Sequence, residues 1–383
     1  MIFPLLVFLT VSAAFPLLGT ESRLISTCPN EVVKVSTHGW WSLKLNDIPF
    51  IDLTEQYPEV YEHLEHGETI PLDLEKPHKE YEYPQVSEFH SKEVAKLVAE
   101  IDSAKIYTVL SEFSSFRSRF YKSELNMESS AWLYDQLIGY AAKHDNYNLV
   151  TVNHPSWPQP SYILEIHGSG NQSTRATAIL GAHHDSTNLH LPYLLPAPGA
   201  DDDGSGVATL LETVRVLSEN DITFANDIEF HFYAAEEGGL LGSGAIFSQY
   251  RALNEKKVVA MLQQDMTGHT STSLEKGYPE HFGILTDSTS PKLTEFLKTV
   301  IDQYTSIPVF ETSCGFGCSD HYSAFLNGYP SAMVAEAKRE FWNPHAHTIR
   351  DTIDKLSVLH MAEHVKLSLG YAFELGQYSF DDQ

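Results

Sequence analysis

An α/β protein with a mostly parallel central sheet, covered by helices on both faces in a three-layer αβα arrangement, is the fold class that the 383-residue sequence predicts. Three observations carry that expectation. Helix-like and strand-like segments alternate from about residue 91. The strand segments are short and almost wholly apolar, as strands buried on both faces must be. Their carboxyl ends carry polar clusters, and open α/β sheets bind ligands beyond the carboxyl ends of their strands.

In chain order, MIFPLLVFLTVSAAFPLLGT has no charged side chain before Glu21. Its apolar core, followed by the small residues Val11-Ser12-Ala13-Ala14, reads as a secretory signal peptide over residues 1–19. An uncleaved signal-anchor is the alternative, since residues 2–19 nearly reach the length of a thinned bilayer. Pro4, Pro16, Thr10 and Ser12 make a poor permanent span and favour cleavage and export. No later run approaches membrane length, so no stable membrane association is expected.

Residues 20–90 are rich in Glu, Pro, Tyr and His and show little periodicity. We read them as a removable pro-region; an ordered subdomain of short strands is the competing reading. The main domain then runs over residues 91–383. Within it SSAWLYDQLIGYAAKH has helical spacing, SYILEIHG and ATAILGAHHDS read as strands, and GSGVATLLETVRVLSEN reads as a strong helix. The strand IEFHFYAAEE, the helical LGSGAIFSQYRAL and the strands VVAMLQQDMTG and HFGILTD follow. SPKLTEFLKTVIDQY and LSVLHMAEHVKLSLGYAFELGQY close the chain as helices.

A formal net charge of −26 would repel phosphate backbones, which disfavours nucleic acid, and none is expected as a partner. It is compatible with cationic ligands or metals. Three cysteines fit export without building a scaffold. Cys314 and Cys318 lie four apart in a glycine-containing loop where a short bridge is feasible in an oxidising compartment, while Cys28 falls within the pro-region. Asn171 heads an N-x-S sequon in a polar turn and is a glycosylation candidate.

The chemistry collects at strand ends. In GAHHDS the alternation of a strand puts His183 and Asp185 on one side and His184 on the other, so that Asp185 could orient the ring of a metal-binding His183. In PGADDDGSG one of three consecutive aspartates could bridge two cations, while Asp203 or Ser205 caps the following helix. Glu236, Glu237 and Asp265 supply strand-end carboxylates. FWNPHAHTIRDT offers His345 and His347, with Asp351 in reach of one of them. Charge balance is consistent: two divalent ions are neutralised by one shared aspartate, one terminal carboxylate each and a hydroxide, with one histidine per metal and one carboxylate left over. Manganese or cobalt would also suit such a donor set.

These five motifs, GAHHDS, PGADDDGSG, YAAEEGGLLGS, QQDMTG and NPHAHTIRDT, in this order and spacing, resemble the secreted two-zinc leucyl aminopeptidases of bacteria and fungi. The resemblance runs from about FSSFRSRFYKS to the C-terminus, and the leader and pro-region resemble the fungal members. It implies the zinc-exopeptidase fold, two Zn²⁺ per subunit, peptide substrates with a free N-terminus and a monomer. Carried over by motif, His183 and Asp265 would hold one zinc, Glu237 and His347 the other, and Asp202 would bridge them, with a cis peptide to Asp203. Asp185 would support His183, and Glu236, free of metal, would be the general base. Cys314 and Cys318 match a family disulfide beside the substrate pocket, near which Met266, Phe316, Met333 and Trp342 are placed. The bacterial leucyl enzymes carry a tyrosine where this chain has Phe316, so a hydroxyl that helps stabilise the tetrahedral intermediate is missing. A catalytically silent relative or a glutaminyl-cyclase-like enzyme on the same fold are the alternatives. Carboxypeptidase action lacks a cationic residue in the metal motifs.

Overall fold

A computed structural model describes residues 22–46, 48–171 and 174–380. The leader segment, residues 1–19, therefore lies outside the described residues, as do Gln172 and Ser173 of the sequon, whose Asn171 is exposed. The chain divides into two compact units, the first ending at Leu74 and the second running from Glu75.

Among its described residues the first unit contains an antiparallel sheet of order β3-β1-β2-β4, from β1 Ser22–Cys28, β2 Glu31–Ser36, β3 Ile51–Asp52 and β4 Thr69–Pro71. A helix, Thr37–Leu45, capped by the Ser36 side chain, brings Trp40 and Trp41 into a small core with Ile25 and Phe50. The second unit begins upstream of residue 91, because Tyr81 and Tyr83 belong to its core and the Tyr83 hydroxyl donates to the Val259 carbonyl.

The second unit is built on β5 Tyr147–Val152, β6 Ser161–Ile166, β7 Ala176–His183, β8 Asp227–Tyr233, β9 Lys257–Gln264, β10 Phe282–Leu285, β11 Val309–Thr312 and β12 Ser331–Ala335. Their order is β11-β10-β12-β9-β7-β8-β6-β5. β12, β9, β7 and β8 run parallel, while β10, β6 and β5 enter through antiparallel pairings. All of β7 is buried, which is why its sequence is an apolar run apart from Thr177 and the terminal His183. The edge strands β5 and β11 are half-buried and lack that run, so the sequence does not advertise them.

Successive residues of the central strands serve opposite faces. Ala178, Leu180, Ala260 and Leu262 join the larger core beneath the helices Gly204–Glu219 and Val358–Gln377. Ile179 and Met261 join Ile246 and Phe247 of the helix Leu241–Leu253 on the other face. The Tyr371 hydroxyl, on the C-terminal helix, donates to the Ile179 carbonyl and ties that helix to the middle of the sheet. No helix of the described residues is long and apolar enough to cross a membrane.

Helix Gly204–Glu219 starts hard against the end of β9. A Cβ on Gly206 would stand 2.1 Å from the Gln264 carbonyl oxygen and 2.4 Å from an Asp203 carboxylate oxygen. Backbone on one side and a helix cap on the other leave no room to yield. Gly206→Ala is therefore expected to lower stability by about 1–3 kcal/mol, the range for overpacking a fitted site. Denaturant unfolding checks this, and an unchanged midpoint would contradict it.

Candidate metal centre

Three neighbouring parallel strands end side by side. β7 ends at His183, β8 at Tyr233 just before Glu236 and Glu237, and β9 at Gln264 just before Asp265. Adjacency in the order β9-β7-β8 converts three distant stretches of sequence into one polar rim. The turn from Asp201 to Asp203 enters from the start of helix Gly204–Glu219, and the loop carrying His347 closes from the C-terminal side.

Among the described residues two groups of donors could each hold a metal ion: His183, Asp202 and Asp265, and Asp202, Glu237 and His347. Asp202 belongs to both. Its Oδ1 lies 3.0 Å from His183 Nε2, and its Oδ2 lies 2.9 Å from His347 Nε2. Asp265 Oδ1 is 3.7 Å from His183 Nε2, and Glu237 Oε2 is 3.4 Å from His347 Nε2. Two ligand atoms sharing a tetrahedral zinc at about 2.0–2.1 Å stand roughly 3.3 Å apart, so these separations and this mixed imidazole–carboxylate set fit two such ions.

The surroundings hold each donor in place. Asp185 Oδ1 lies 3.3 Å from His183 Nδ1, and its two oxygens accept the backbone N–H groups of Glu236 and Glu237 at 3.1 and 3.2 Å. One carboxylate thus orients an imidazole and fixes the turn that carries both glutamates. Ser319 donates to Asp265 Oδ2 at 2.6 Å. Asp203 caps the helix through Gly206 N–H and also accepts from the N–H groups of His183 and Met266. The Asp202–Asp203 peptide is cis. Ala235, Met266 and His347 all sit in the left-handed region, at φ 56°, 56° and 59°. Such conformations are costly for residues with a Cβ, and here they adjoin or carry the donors.

Asp351, four residues after His347, orients neither loop histidine. It accepts the N–H groups of Asp201 and Asp202, each at 3.0 Å, and so positions the aspartate turn instead. Asn343 donates to both Asp201 and Asp351. His345 stays outside both donor groups, its N–H taken by the Asn343 side chain.

Sequence reasoning also missed Arg119. It is fully buried and donates to the carbonyls of His184, Pro198 and Gly199, joining the chain after His183 to the chain before Asp202. Ser319 and Asp320 went unassigned although they directly follow Cys318 in SCGFGCSD. Their only signal is that proximity.

Cys314 and Cys318 form a disulfide. Both pack with Leu285, Met333, Ala335 and Trp342 in one apolar cluster. Phe316, between the cysteines, is buried edge-on against Tyr322, and buried Met266 follows Asp265. No hydroxyl stands at position 316.

The electrostatics are those of crowded carboxylates. Burial raises Glu236, His183 opposes the rise, and Asp320, Glu237 and Asp265 add to it, leaving its carboxyl well above the ordinary value. Burial raises Asp203, Glu336 and Asp351 in the same way, and Asp320 to about 7. Burial would lower His183, but Asp265, Asp185 and Asp202 outweigh it and raise the ring well above 6.5. Asp202 runs the other way: burial would raise it, and His347 and His183 hold it far below the ordinary carboxylate range.

A group whose folded pKa is raised binds more protons folded than unfolded, so its stabilising contribution is lost as pH rises. His183 and the raised carboxyls act together in this sense. Below pH 6.5 they are opposed by His154, His184, His321 and His364, which burial lowers and which take up protons on unfolding, so metal-free protein is expected to lose stability from about pH 6.5 upward, through the value of about 7 for Asp320 and beyond. Asp202 opposes this only at strongly acid pH. Bound cations should flatten the slope. Melting temperature against pH, with and without chelator, tests this; a chelated protein that grows more stable from pH 7 to 9 would contradict it.

A model of peptidase family M28 matches residues 162–372. Leucine aminopeptidase 1 of Aspergillus oryzae is 43% identical over 372 residues, covering 94% of this chain and 91% of that protein. Leucine aminopeptidase 1 of Fusarium vanettenii is 41% identical over 369 residues, covering 94% and 89%. Among solved structures, the LapA aminopeptidase of Legionella pneumophila has a TM-score of 0.79 at 25% identity, covering 94% of this chain and 100% of that one.

Proposed function

The chain belongs to peptidase family M28 and is a zinc-dependent aminopeptidase, and we propose that it is a secreted enzyme that uses two zinc ions to release leucine and other apolar residues from peptide N-termini. The observation that carries this reading is Asp202, whose two carboxylate oxygens face two different histidines. In it His183 and Asp265 hold one ion, Glu237 and His347 the other, and Asp202 both.

Bound zinc supplies Lewis acidity toward the scissile carbonyl and acidifies water at neutral pH. The protein's own groups do the rest. Asp185 sets the ring of His183 and, through the N–H groups of Glu236 and Glu237, the direction of the glutamate pair. Glu237 is committed to a ligand position. Glu236 stays outside both donor groups with a raised proton affinity, as a general base requires. It takes a proton from the attacking water and returns it to the departing amine. This division of labour is why two adjacent glutamates are needed.

The surplus of negative charge favours a protonated substrate amino group, hence a free N-terminus. The apolar cluster of Met333, Trp342 and the disulfide, with Met266 and Phe316 beside it, suits a leucine side chain. With phenylalanine at position 316, oxyanion stabilisation falls to the metals or to another donor. The leader over residues 1–19 supports export, Asn171 is the glycan site, and the N-terminal unit ending at Leu74 is the removable pro-segment. The enzyme acts as a monomer.

Glu236→Gln keeps the shape and removes the base. We expect kcat on a leucyl chromogenic amide to fall by about 10²–10⁴-fold, the usual weight of general acid–base catalysis, with zinc content unchanged. Full activity of that variant would refute the assignment. Asp202→Asn should cut zinc content at both positions, whereas His347→Ala should spare one ion; metal analysis after dialysis distinguishes them. A chelator should abolish activity and zinc should restore it. If the N-terminal unit inhibits, precursor trimmed near Leu74 should be faster than intact precursor on the same amide.

A further inference from the structure

Between GAHHDS and PGADDDGSG the chain makes an excursion, TNLHLPYLLPAP, that the catalytic reading leaves unused. It starts just after Asp185 and returns just before Asp201. Its stem is built firmly. Ser186 donates to the Ala197 carbonyl, and Asn188 donates to the Pro196 carbonyl while accepting from the N–H groups of His190 and Leu191. Arg117 donates to the Leu194 carbonyl at 2.6 Å.

On this braced stem three large apolar side chains point outward. Leu191, Tyr193 and Leu194 are 44%, 49% and 66% exposed. A run of exposed apolar groups on a stapled loop is a costly display unless something covers it. Its location identifies the occupant. The Leu189 N–H donates to the His347 carbonyl, so the excursion lies against the one proposed ligand that reaches solvent. The His347 side chain is 27% exposed, against 8% or less for His183, Asp202, Glu237 and Asp265. The open side of the centre is therefore the His347 side. A peptide whose first side chain fills the Met333–Trp342 cluster must carry the rest of its chain out through that opening.

We propose that Leu191, Tyr193 and Leu194 form the surface that receives apolar residues on the carboxyl side of the scissile bond, making the enzyme selective for the second and third residues of its substrates. This rests on the aminopeptidase reading. Tyr193 meets Phe120 edge-on at 5.0 Å, which holds one wall of the surface.

The test compares leucinamide, which has no residue beyond the cleaved bond, with Leu-Ser-Ser and Leu-Phe-Leu, on the zinc-loaded enzyme as a secreting host releases it. The wild type should prefer Leu-Phe-Leu to Leu-Ser-Ser by about tenfold in kcat/KM, the discrimination typical of one apolar contact. In L191S/L194S that preference should shrink to within about twofold through KM, with leucinamide turnover retained. Y193S, which leaves both leucines in place, should give a partial loss. Equal falls on all three substrates would mean that the excursion merely braces His347 and would overturn the proposal, as would an unchanged preference. A rise on leucinamide would overturn it too, marking the chain's own N-terminal segment as the occupant. Inactivity of the wild type on leucinamide would instead remove the proposed release of leucine, and the proposal with it.

Discussion

Carboxylates crowded into a buried rim are the constraint on which the rest of this structure depends. Asp185, Asp201, Asp202, Asp203, Glu237, Asp265, Asp320, Glu336 and Asp351 are all buried around the ends of three strands. Like charges at low dielectric repel strongly, and an unpaired buried carboxylate is among the costliest groups a fold can contain. Three kinds of compensation are visible. Backbone N–H groups converge on Asp185, Asp203 and Asp351. Burial and mutual repulsion raise the proton affinity of Asp203, Glu236, Glu336 and Asp351, and that of Asp320 to about 7. Two imidazoles face Asp202. A pair of divalent ions is the remaining compensation that the donor geometry fits.

Arg119 extends the same logic. Burial lowers its guanidinium to about 10, while Asp351, Asp185, Asp202 and Asp203 pull it up. It forms no salt bridge with any of them. Its N–H groups go to carbonyls on both sides of the excursion between the motifs, and its face lies 4.3 Å from the Phe113 ring. It acts as a fixed strut with a positive field, and the proposed centre inherits its precision from struts of this kind rather than from the donors alone. Metal chemistry and loop architecture are thus one problem: the segment that positions Asp202 also begins and ends the apolar excursion.

In the Glu236–Glu237 pair a small difference in position separates the two proposed roles. Both residues follow Ala235, whose left-handed backbone turns the chain at the end of β8. Asp185 holds both N–H groups. Glu237 then turns in to stand 3.4 Å from His347 Nε2 and is buried, whereas Glu236 stays half-buried beyond both donor groups. In the proposed mechanism the same side chain serves as a ligand in one place and a proton carrier in the other because its neighbours differ.

Much of this was legible in the amino-acid sequence for a physical reason. Burial on both faces forces strands to be apolar, and ligands gather at strand ends, so GAHHDS, YAAEEGG and QQDMTG mark themselves by an abrupt change from apolar to acidic. Five such motifs in fixed order carry the family. The sequence is weak where the cause is not local. The edge strands β5 and β11 are half-exposed and have no pattern to read, and the division at Leu74 reflects packing of Tyr81 and Tyr83 that no periodicity records. Asp351 looked like a partner for a histidine four residues away, yet it serves Asp201 and Asp202, about 150 residues back, because the tertiary fold lays that loop against the aspartate turn. Sequence alone determined which residue types would meet at the strand ends. Only the tertiary structure decided which oxygen faces which nitrogen, since angstrom-scale separations between distant segments are set by the packing of the sheet and its helices.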